Sequence, residues 1–438
     1  MTNDPRDVIA SSPMSRMQVV IVAITIGLNA LDGFDVLSIS FASPGIAAEW
    51  GIDRARLGIV LSMELIGMGV GSILLGGVAD RYGRRPTILG CLVGMMIGMF
   101  MAPAARGLAE LSVWRVITGL GIGGMLAAIN AVTAEFSNSR RRHLSVSLMV
   151  IGYPLGVVIG GSIAAQLLAA YDWRSVFYLG AALSVIFIPV VYFYVPESVH
   201  WLTRKQPEEA LQRVNAVMAR IGKAAIAALP VIAQEVRKLS AADIFSPVLI
   251  VTTLIVTIAY CFHITTFYFI IKWAPKIIVD MGFPASSAAG VLVWANLGGA
   301  LGGALFGVLT LRLGLKPLTI GVLVLSAVMV NLFGRSPADL QMLSLICAAA
   351  SFCTNAGVVG LYAIFASAFP THARAFGTGF AVGVGRGGAV LSPIIAGFLL
   401  NAGSSLPTVA SIMALGSVVA AGVLVFLTFS PEANRELA

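Results

Sequence analysis

Apolar residues run along this chain in twelve stretches, near 17–42, 57–79, 87–105, 109–135, 144–170, 175–195, 247–271, 286–309, 317–334, 340–368, 373–400 and 407–429. A helix needs about 20 mostly apolar residues to cross a bilayer core. The pattern therefore predicts an all-α membrane protein with twelve transmembrane helices in two bundles of six. The widest break, 197–245, holds a polar stretch from Gln206 to Lys223 in which Leu211, Val214, Val217 and Ile221 recur at helical spacing. It reads as a cytoplasmic central loop with an amphipathic helix, joining an N-terminal bundle (1–196) to a C-terminal bundle (246–438).

Composition agrees. Hydrophobic residues make up 58% of the chain and charged residues 11%, against about 25% charged in a soluble domain. The 47 glycines suit close packing of helices in lipid. Cys91, Cys261, Cys347 and Cys353 all fall inside apolar runs without metal-ligand spacing, and read as small buried hydrophobes. The sequence has no phosphate-binding loop of the GxxxxGK[ST] type. No cofactor or metal is expected, and an ATP-driven pump or an enzyme is disfavoured. The first apolar run is too long for a cleavable signal and reads as a retained first helix.

The net charge of +8 comes from basic residues in short loops, which argues for topology rather than nucleic-acid binding. With both termini in the cytoplasm, 19 of the 28 Lys and Arg fall on the cytoplasmic side. Seven fall opposite: Arg54, Arg56, Arg106, Arg174, Lys272, Lys276 and Arg335. Arg115 and Arg386 lie within spans. Positive charge stays inside, so this orientation is the expected one.

An internal repeat is legible. Gly76-Gly-Val-Ala-Asp-Arg-Tyr-Gly-Arg-Arg-Pro86 follows the second run, and Gly307-Val-Leu-Thr-Leu-Arg-Leu-Gly-Leu-Lys-Pro317 follows the eighth. The offset of 231 residues that aligns Arg81 with Arg312 also aligns Gly152 with Gly383 and Gly156 with Gly387. One offset serving distant motifs points to a duplicated six-helix unit, with substrate at the repeat interface. Leu311 stands where the first copy has Asp80, so the two loops are not equivalent.

The first of these loops resembles the signature of the major facilitator superfamily, Gly-x-x-x-Asp-Arg-x-Gly-Arg-Arg. Arg115 with Gly119, Gly121 and Gly124 resembles the fourth-helix motif, and Gly152-Tyr-Pro-Leu-Gly156 with Gly160-Gly161 the fifth. Pro196-Glu-Ser198 resembles the end of the sixth helix in sugar porters. A narrower resemblance, to the aromatic acid/proton symporter family, rests on Leu31-Asp-Gly-Phe-Asp35, Arg374-Ala-Phe-Gly-Thr-Gly379 and Gly383-x-Gly-Arg-Gly387. It implies import of a small aromatic carboxylate with protons across a bacterial cytoplasmic membrane, by a chain functional as a monomer. By the same resemblance Asp80, Arg81 and Arg85 lock the cytoplasmic face of the N-terminal half, with Glu135, Arg140 and Glu197 as partners.

Ionisable groups at mid-membrane cost about 2.5–3.5 kcal/mol each on insertion scales and are seldom idle. Here they are Asp32, Asp35, Glu64, Arg115, His263 and Arg386. Asp32 and Asp35 share one helix face. They read as a proton-coupling pair tuned by Arg115, or as a structural pair that Arg115 neutralises. Arg386, flanked by Gly385, Gly387 and Gly388, offers a planar fork for a carboxylate; the competing reading is an ion pair with an acid such as Glu64. His263 occupies the repeat position of Asp32 and is either a hydrogen-bonded packing residue or a site residue. With Arg386, Glu64 and His263, the substrate-contact candidates are Tyr153, Trp294, Asn296, Asn355 and Tyr362. Span seven adds Tyr260, Phe262, Phe267, Tyr268, Phe269 and Trp273, which either pack the core or stack on a flat ligand. A porter of a non-aromatic organic anion or sugar, or a non-transporting sensor on the same fold, are the alternatives.

Overall fold

Inside a bilayer the backbone has no water to bond, so an apolar segment must satisfy its own N–H and C=O groups as helix. The computed structural model describes residues 4–230, 245–247, 249–310, 312–369 and 374–428. Leu311, Arg237, Lys238 and Arg435, which entered the repeat and charge arguments, lie outside the described residues, as does 231–244 of the linker.

Among the described residues twelve helices are long and apolar enough to cross a membrane. The first six are Arg16–Trp50, Arg54–Tyr82, Arg84–Ala104, Leu108–Glu135, Leu144–Ala170 and Arg174–Tyr194. The second six are Ile250–Asp280, Ala285–Leu309, Leu315–Phe333, Leu340–Ala368, Gly377–Asn401 and Leu406–Val425. Spans 1 and 7 outrun their expected ends, because the helix continues through Pro44 in one and Pro275 in the other. Proline removes one hydrogen bond, whereas unwinding early would strand several backbone groups. Lys272 and Lys276, read from the sequence as loop cations, therefore lie inside span 7, and Lys272 is completely buried.

The amphipathic helix forms at Ala210–Arg220, with Val214, Val217 and Ile221 buried and Leu211 half-buried. Before it comes the short helix Val199–Lys205, whose start is capped by the Ser198 hydroxyl accepting the Trp201 N–H at 3.1 Å. A further short helix, Pro5–Ser11, precedes span 1.

The chain sorts into two compact units. The first comprises Met1–Ser38, Ile66–Ile159 and Val176–Val236; the second comprises Ile39–Leu65, Gly160–Ser175 and Arg237–Ala438. The division cuts through spans 1, 2 and 5. In the first unit, spans 1 and 5 meet backbone to backbone. A Cβ on Gly156 would lie 1.8 Å from the Ala30 carbonyl oxygen, and one on Gly33 2.2 Å from that of Tyr153. At the N-terminal end of this unit, Asn138 Nδ2 donates to Ser12 O (3.1 Å) and Lys223 Nζ to Pro13 O (2.6 Å).

In the second unit span 8 packs on span 10 and span 7 on span 11. The far ends of spans 1, 2 and 5 belong to this same unit. Gly161 faces Phe41 and Val293, the Trp50 and Trp173 rings meet edge to face at 5.7 Å, and Arg174 holds Glu49 at 2.6 Å.

Gly156→Ala is expected to destabilise the purified protein by about 1–3 kcal/mol, the usual cost of overpacking. Gly69→Ala, at a position with nothing within 4 Å, should leave the melting temperature in detergent unchanged or slightly higher. Equal melting of the two variants would contradict the close approach of spans 1 and 5.

Candidate functional site

The first-helix acids lie in the first unit. Asp32 is 1% exposed, and neither of its carboxylate oxygens has a hydrogen-bond partner among the described residues. Burying a carboxyl group without such partners is costly. Asp35 is fully buried one turn further on. Arg115, also fully buried, donates from Nη2 to the Asp35 carbonyl oxygen at 3.0 Å. Its Nη1 meets Met99 Sδ at 3.0 Å, and its guanidinium lies 5.4 Å from the centre of the Phe177 ring. Gly180 leaves room for the Asp35 carboxylate, since a Cβ there would come within 2.6 Å of Oδ1. Tyr153 stands beside Gly33 and presents its backbone carbonyl to it.

The second unit holds a different cluster. Glu64 and Lys272 form an ion pair at 3.6 Å, with both side chains 0% exposed. The sequence offered Glu64 as a substrate contact or a partner of Arg386; the structure gives it an ion pair with Lys272. One turn before Lys272, Tyr268 is half-buried and within electrostatic reach of both Arg386 and Glu64. Arg386 is half-buried on span 11 and lies within reach of Tyr260 as well. Gly385 lets span 11 close onto the Tyr260 ring, where a Cβ would meet Cδ1 at 2.2 Å. Tyr260 and Tyr362 share a hydroxyl contact of 3.1 Å, and both rings pack on Phe365, at centroid distances of 5.6 and 5.9 Å. The result is a guanidinium among aromatic rings, which is the chemistry that recognises a flat carboxylate.

Other candidates are engaged elsewhere. His263 is fully buried, with Nε2 2.8 Å from the Thr354 carbonyl and Nδ1 2.9 Å from the Ser417 hydroxyl. The carbonyl can only accept, so Nε2 carries the proton and Nδ1 accepts from Ser417. Both ring nitrogens are held by protein groups of spans 10 and 12. Asn296 donates to Leu292 O in its own helix (2.9 Å), and Asn355 to Gly299 O across to span 8 (2.6 Å). Trp294 is 56% exposed.

In the loop motif an arginine outside the expected set of Arg81, Arg85 and Arg140 holds the acids. Arg84 pairs with Asp80 at 2.7 Å and with Glu135 at 3.4 Å. Arg85 donates to the Tyr192 carbonyl at 2.5 Å and lies over the Tyr192 ring. Among the described residues Arg81 stacks on its exposed neighbour Tyr82, and Arg140 is exposed.

Glu197 acts as a cap supplied from another part of the chain. Its Oε1 accepts the backbone N–H of Arg84 (2.8 Å), at the start of span 3, and that of its own neighbour Ser198 (2.8 Å). Gly83 makes this possible: its φ is +115°, and a Cβ there would lie 2.2 Å from Glu197 Oε2. Burial holds the Glu197 carboxyl above its usual range, against the opposing pull of these N–H donors. Arg6, Asp80, Arg84, Glu135, His200, Trp201 and Arg204 line a cavity of about 180 Å³ beside it. Burial lowers the His200 imidazole, partly offset by Glu135.

Sequence reasoning missed Lys272, Arg84 and Phe365 as site residues. Lys272 had a readable signal, since Ala274, Ile277 and Ile278 continue the apolar helix past it. Arg84 also had one, lying four residues after Asp80.

Twelve spans, a doubled loop motif and buried charges in two clusters define a membrane carrier. A sequence model of the Major Facilitator Superfamily matches residues 25–304. The chain is 30% identical over 428 residues to the 3-(3-hydroxy-phenyl)propionate transporter of Escherichia coli strain K12, covering 96% of each chain. It is 28% identical over 421 residues to a gallate transporter of Pseudomonas putida, covering 95% of this chain and 93% of that one. The fold is similar to the crystal structure of a D-xylose–proton symporter, with a TM-score of 0.73 at 18% identity, over 95% of this chain and 98% of that one. The chain belongs to the Major Facilitator Superfamily and groups there with the aromatic-acid transporters; it is a transporter and not an enzyme.

The arginine at the centre of the loop network is separable from its neighbours. Arg84→Ala leaves Glu135, 16% exposed, without its cation, at an expected cost of about 1–3 kcal/mol. Arg140→Ala and Arg81→Ala should fall within about 0.5 kcal/mol of the parent, as exposed charges do. Thermal unfolding of the three variants measures this, and an Arg140→Ala loss as large as that of Arg84→Ala would contradict the assignment.

Proposed function

We propose that this protein imports a small aromatic carboxylate together with protons, by alternating access across a bacterial cytoplasmic membrane, with both termini in the cytoplasm and one chain as the working unit. The observation that carries the reading is Arg386 set among Tyr260, Tyr268, Tyr362 and Phe365. The substrate carboxylate pairs with the guanidinium fork and its ring lies against the aromatic faces. The names of the relatives fit, since gallate and 3-(3-hydroxyphenyl)propionate each join an aromatic ring to a carboxylate.

Asp32 carries the proton. It is buried with no hydrogen-bond partner among the described residues, while Asp35 lies against Arg115 and serves in positioning. Protonation from outside prepares the site, substrate binds at Arg386, and the two six-helix bundles, 1–196 and 246–438, rock about it. The 197–245 segment tethers them on the cytoplasmic side. The network of Asp80, Arg84, Glu135 and Glu197 belongs to the cytoplasmic gate.

Proteoliposomes test this with 4-hydroxybenzoate, gallate, succinate and xylose as probes. Only the aromatic acids should be concentrated by an inward proton gradient. Arg386→Lys keeps the charge but loses the fork, and should weaken aromatic-acid binding roughly tenfold or more. Asp32→Asn should abolish uphill uptake and leave counterflow of preloaded substrate largely intact, because exchange moves no net proton. Uphill uptake surviving in Asp32→Asn would reassign the proton, and full affinity in Arg386→Lys would remove Arg386 as the anchor.

A further inference from the structure

The linker helix of the first unit carries a basic face that the substrate and proton roles leave unused. Ala210–Arg220 buries Val214, Val217 and Met218 and exposes Arg213, Ala216 and Arg220. Arg213 and Arg220 stand two turns apart on one side of the helix. Ala216 between them ends at Cβ, so the space between the two side chains stays open. Arg85, at the start of span 3, completes the set. The three arginines line one cavity of about 240 Å³ together with Glu197, several times the about 30 Å³ share of a water molecule. Glu197 is the one acid among the lining residues, and its Oε1 already accepts two backbone N–H groups.

The donors of these arginines are only partly used. Arg85 gives Nη2 to the Tyr192 carbonyl at 2.5 Å, and Arg220 gives Nη2 to the Phe193 carbonyl. Both thereby close open carbonyls at the end of span 6. A guanidinium has five N–H donors, however. Arg85 Nε is buried without a hydrogen-bond partner among the described residues. Arg213 is exposed and has no ion pair among them. The position indicates what kind of anion reaches the cavity. Span 6 ends in Tyr192, Phe193 and Tyr194, all more than half exposed. Exposed aromatic rings at the end of a span mark the level of the lipid headgroups. The Arg85 guanidinium lies over the Tyr192 ring, 4.9 Å from its centre, so the cavity stands at that level. From there Pro86, Gly90, Val93 and Ile97 form one exposed apolar stripe along span 3, a path for an acyl chain.

We propose that this cavity binds the phosphodiester headgroup of an anionic phospholipid, which bridges the linker helix to the start of span 3 and the end of span 6. Three cations against one acid attract a phosphate group, and guanidinium forks match its oxygens. A lipid fits better than free phosphate, because its tails hold the headgroup at the level of the aromatic rings. The leaflet is the cytoplasmic one by the orientation proposed above; the binding itself does not depend on it.

The test counts lipids on the full chain purified in detergent. Native mass spectrometry follows a titration with phosphatidylglycerol, and phosphatidylcholine with the same tails is the comparison without net charge. Phosphatidylglycerol should occupy one site with at least roughly tenfold higher affinity. Arg213→Ala with Arg220→Ala should weaken that binding roughly tenfold or more, since one arginine near an anionic headgroup is worth about fivefold. Arg140→Ala with Arg141→Ala removes as much charge from another exposed stretch and should leave the affinity within about twofold. Equal losses in the two double variants would mean general attraction to a basic surface and overturn the proposal, as would equal affinity for the two lipids. Inorganic phosphate in large excess should leave the lipid bound; displacement would give the cavity to a free anion and overturn the lipid assignment. If the double alanine variant fails to accumulate, Arg213→Glu decides, because this exposed side chain has no ion pair among the described residues. Unchanged lipid affinity in Arg213→Glu overturns the proposal. Detergent leaves both ends of the spans accessible and no substrate is present. Failed aromatic-acid uptake or an inverted topology would therefore count against the function proposed above and leave this result standing.

Discussion

A charge or an unpaired backbone group in lipid has no water to turn to, and this one constraint organises the protein. Helices run through Pro44 and Pro275 instead of breaking. Arg115 donates to the Asp35 carbonyl and meets a thioether and an aromatic face. His263 closes both ring nitrogens on neighbouring spans, and Lys272 lies against Glu64. Against that background Asp32 stands out, because its buried carboxylate oxygens have no such partners among the described residues. The same rule that makes buried charges rare makes the exceptions informative.

The constraint also explains the glycines that matter. Without a hydrophobic force between helices in lipid, association depends on close packing, and the closest packing needs the absence of Cβ. Gly33 and Gly156 bring spans 1 and 5 into backbone contact beside the two acids, so the carboxylates sit on a helix that cannot easily roll. Gly83 does something different. Its positive φ turns the chain between spans 2 and 3 and clears the space through which Glu197 reaches the first N–H groups of span 3. The loop motif is thus as much a capping device as a set of charges.

Span 1 connects the chemistry. A single unbroken helix carries Asp32 and Asp35 in its first part and, from Ile39 onward, packs within the unit that contains Arg386, Tyr268 and Lys272. Span 2 does the same with Glu64 at its start and Asp80 at its end.

The order of apolar runs was enough to define twelve spans, the linker and its amphipathic helix, because in lipid the helix is the one local answer to a long apolar segment. The motif at Gly76 to Arg85 and the acids in span 1 were legible as chemistry, since their residue types are out of place in a membrane. What the sequence left open was partnership. Lys272 reads as a loop cation until the helix is seen to pass Pro275 and bury it against Glu64, 208 positions away in the numbering. Arg84 reads like its neighbours Arg81 and Arg85 until helix phase turns it toward Asp80 and Glu135. His263 carries the symmetry of a site residue, yet spans 10 and 12 supply its acceptor and donor. Local sequence sets which segments become helix, because backbone hydrogen bonds close within four residues; the pairing of buried charges depends on which helix faces meet, and only tertiary packing decides that.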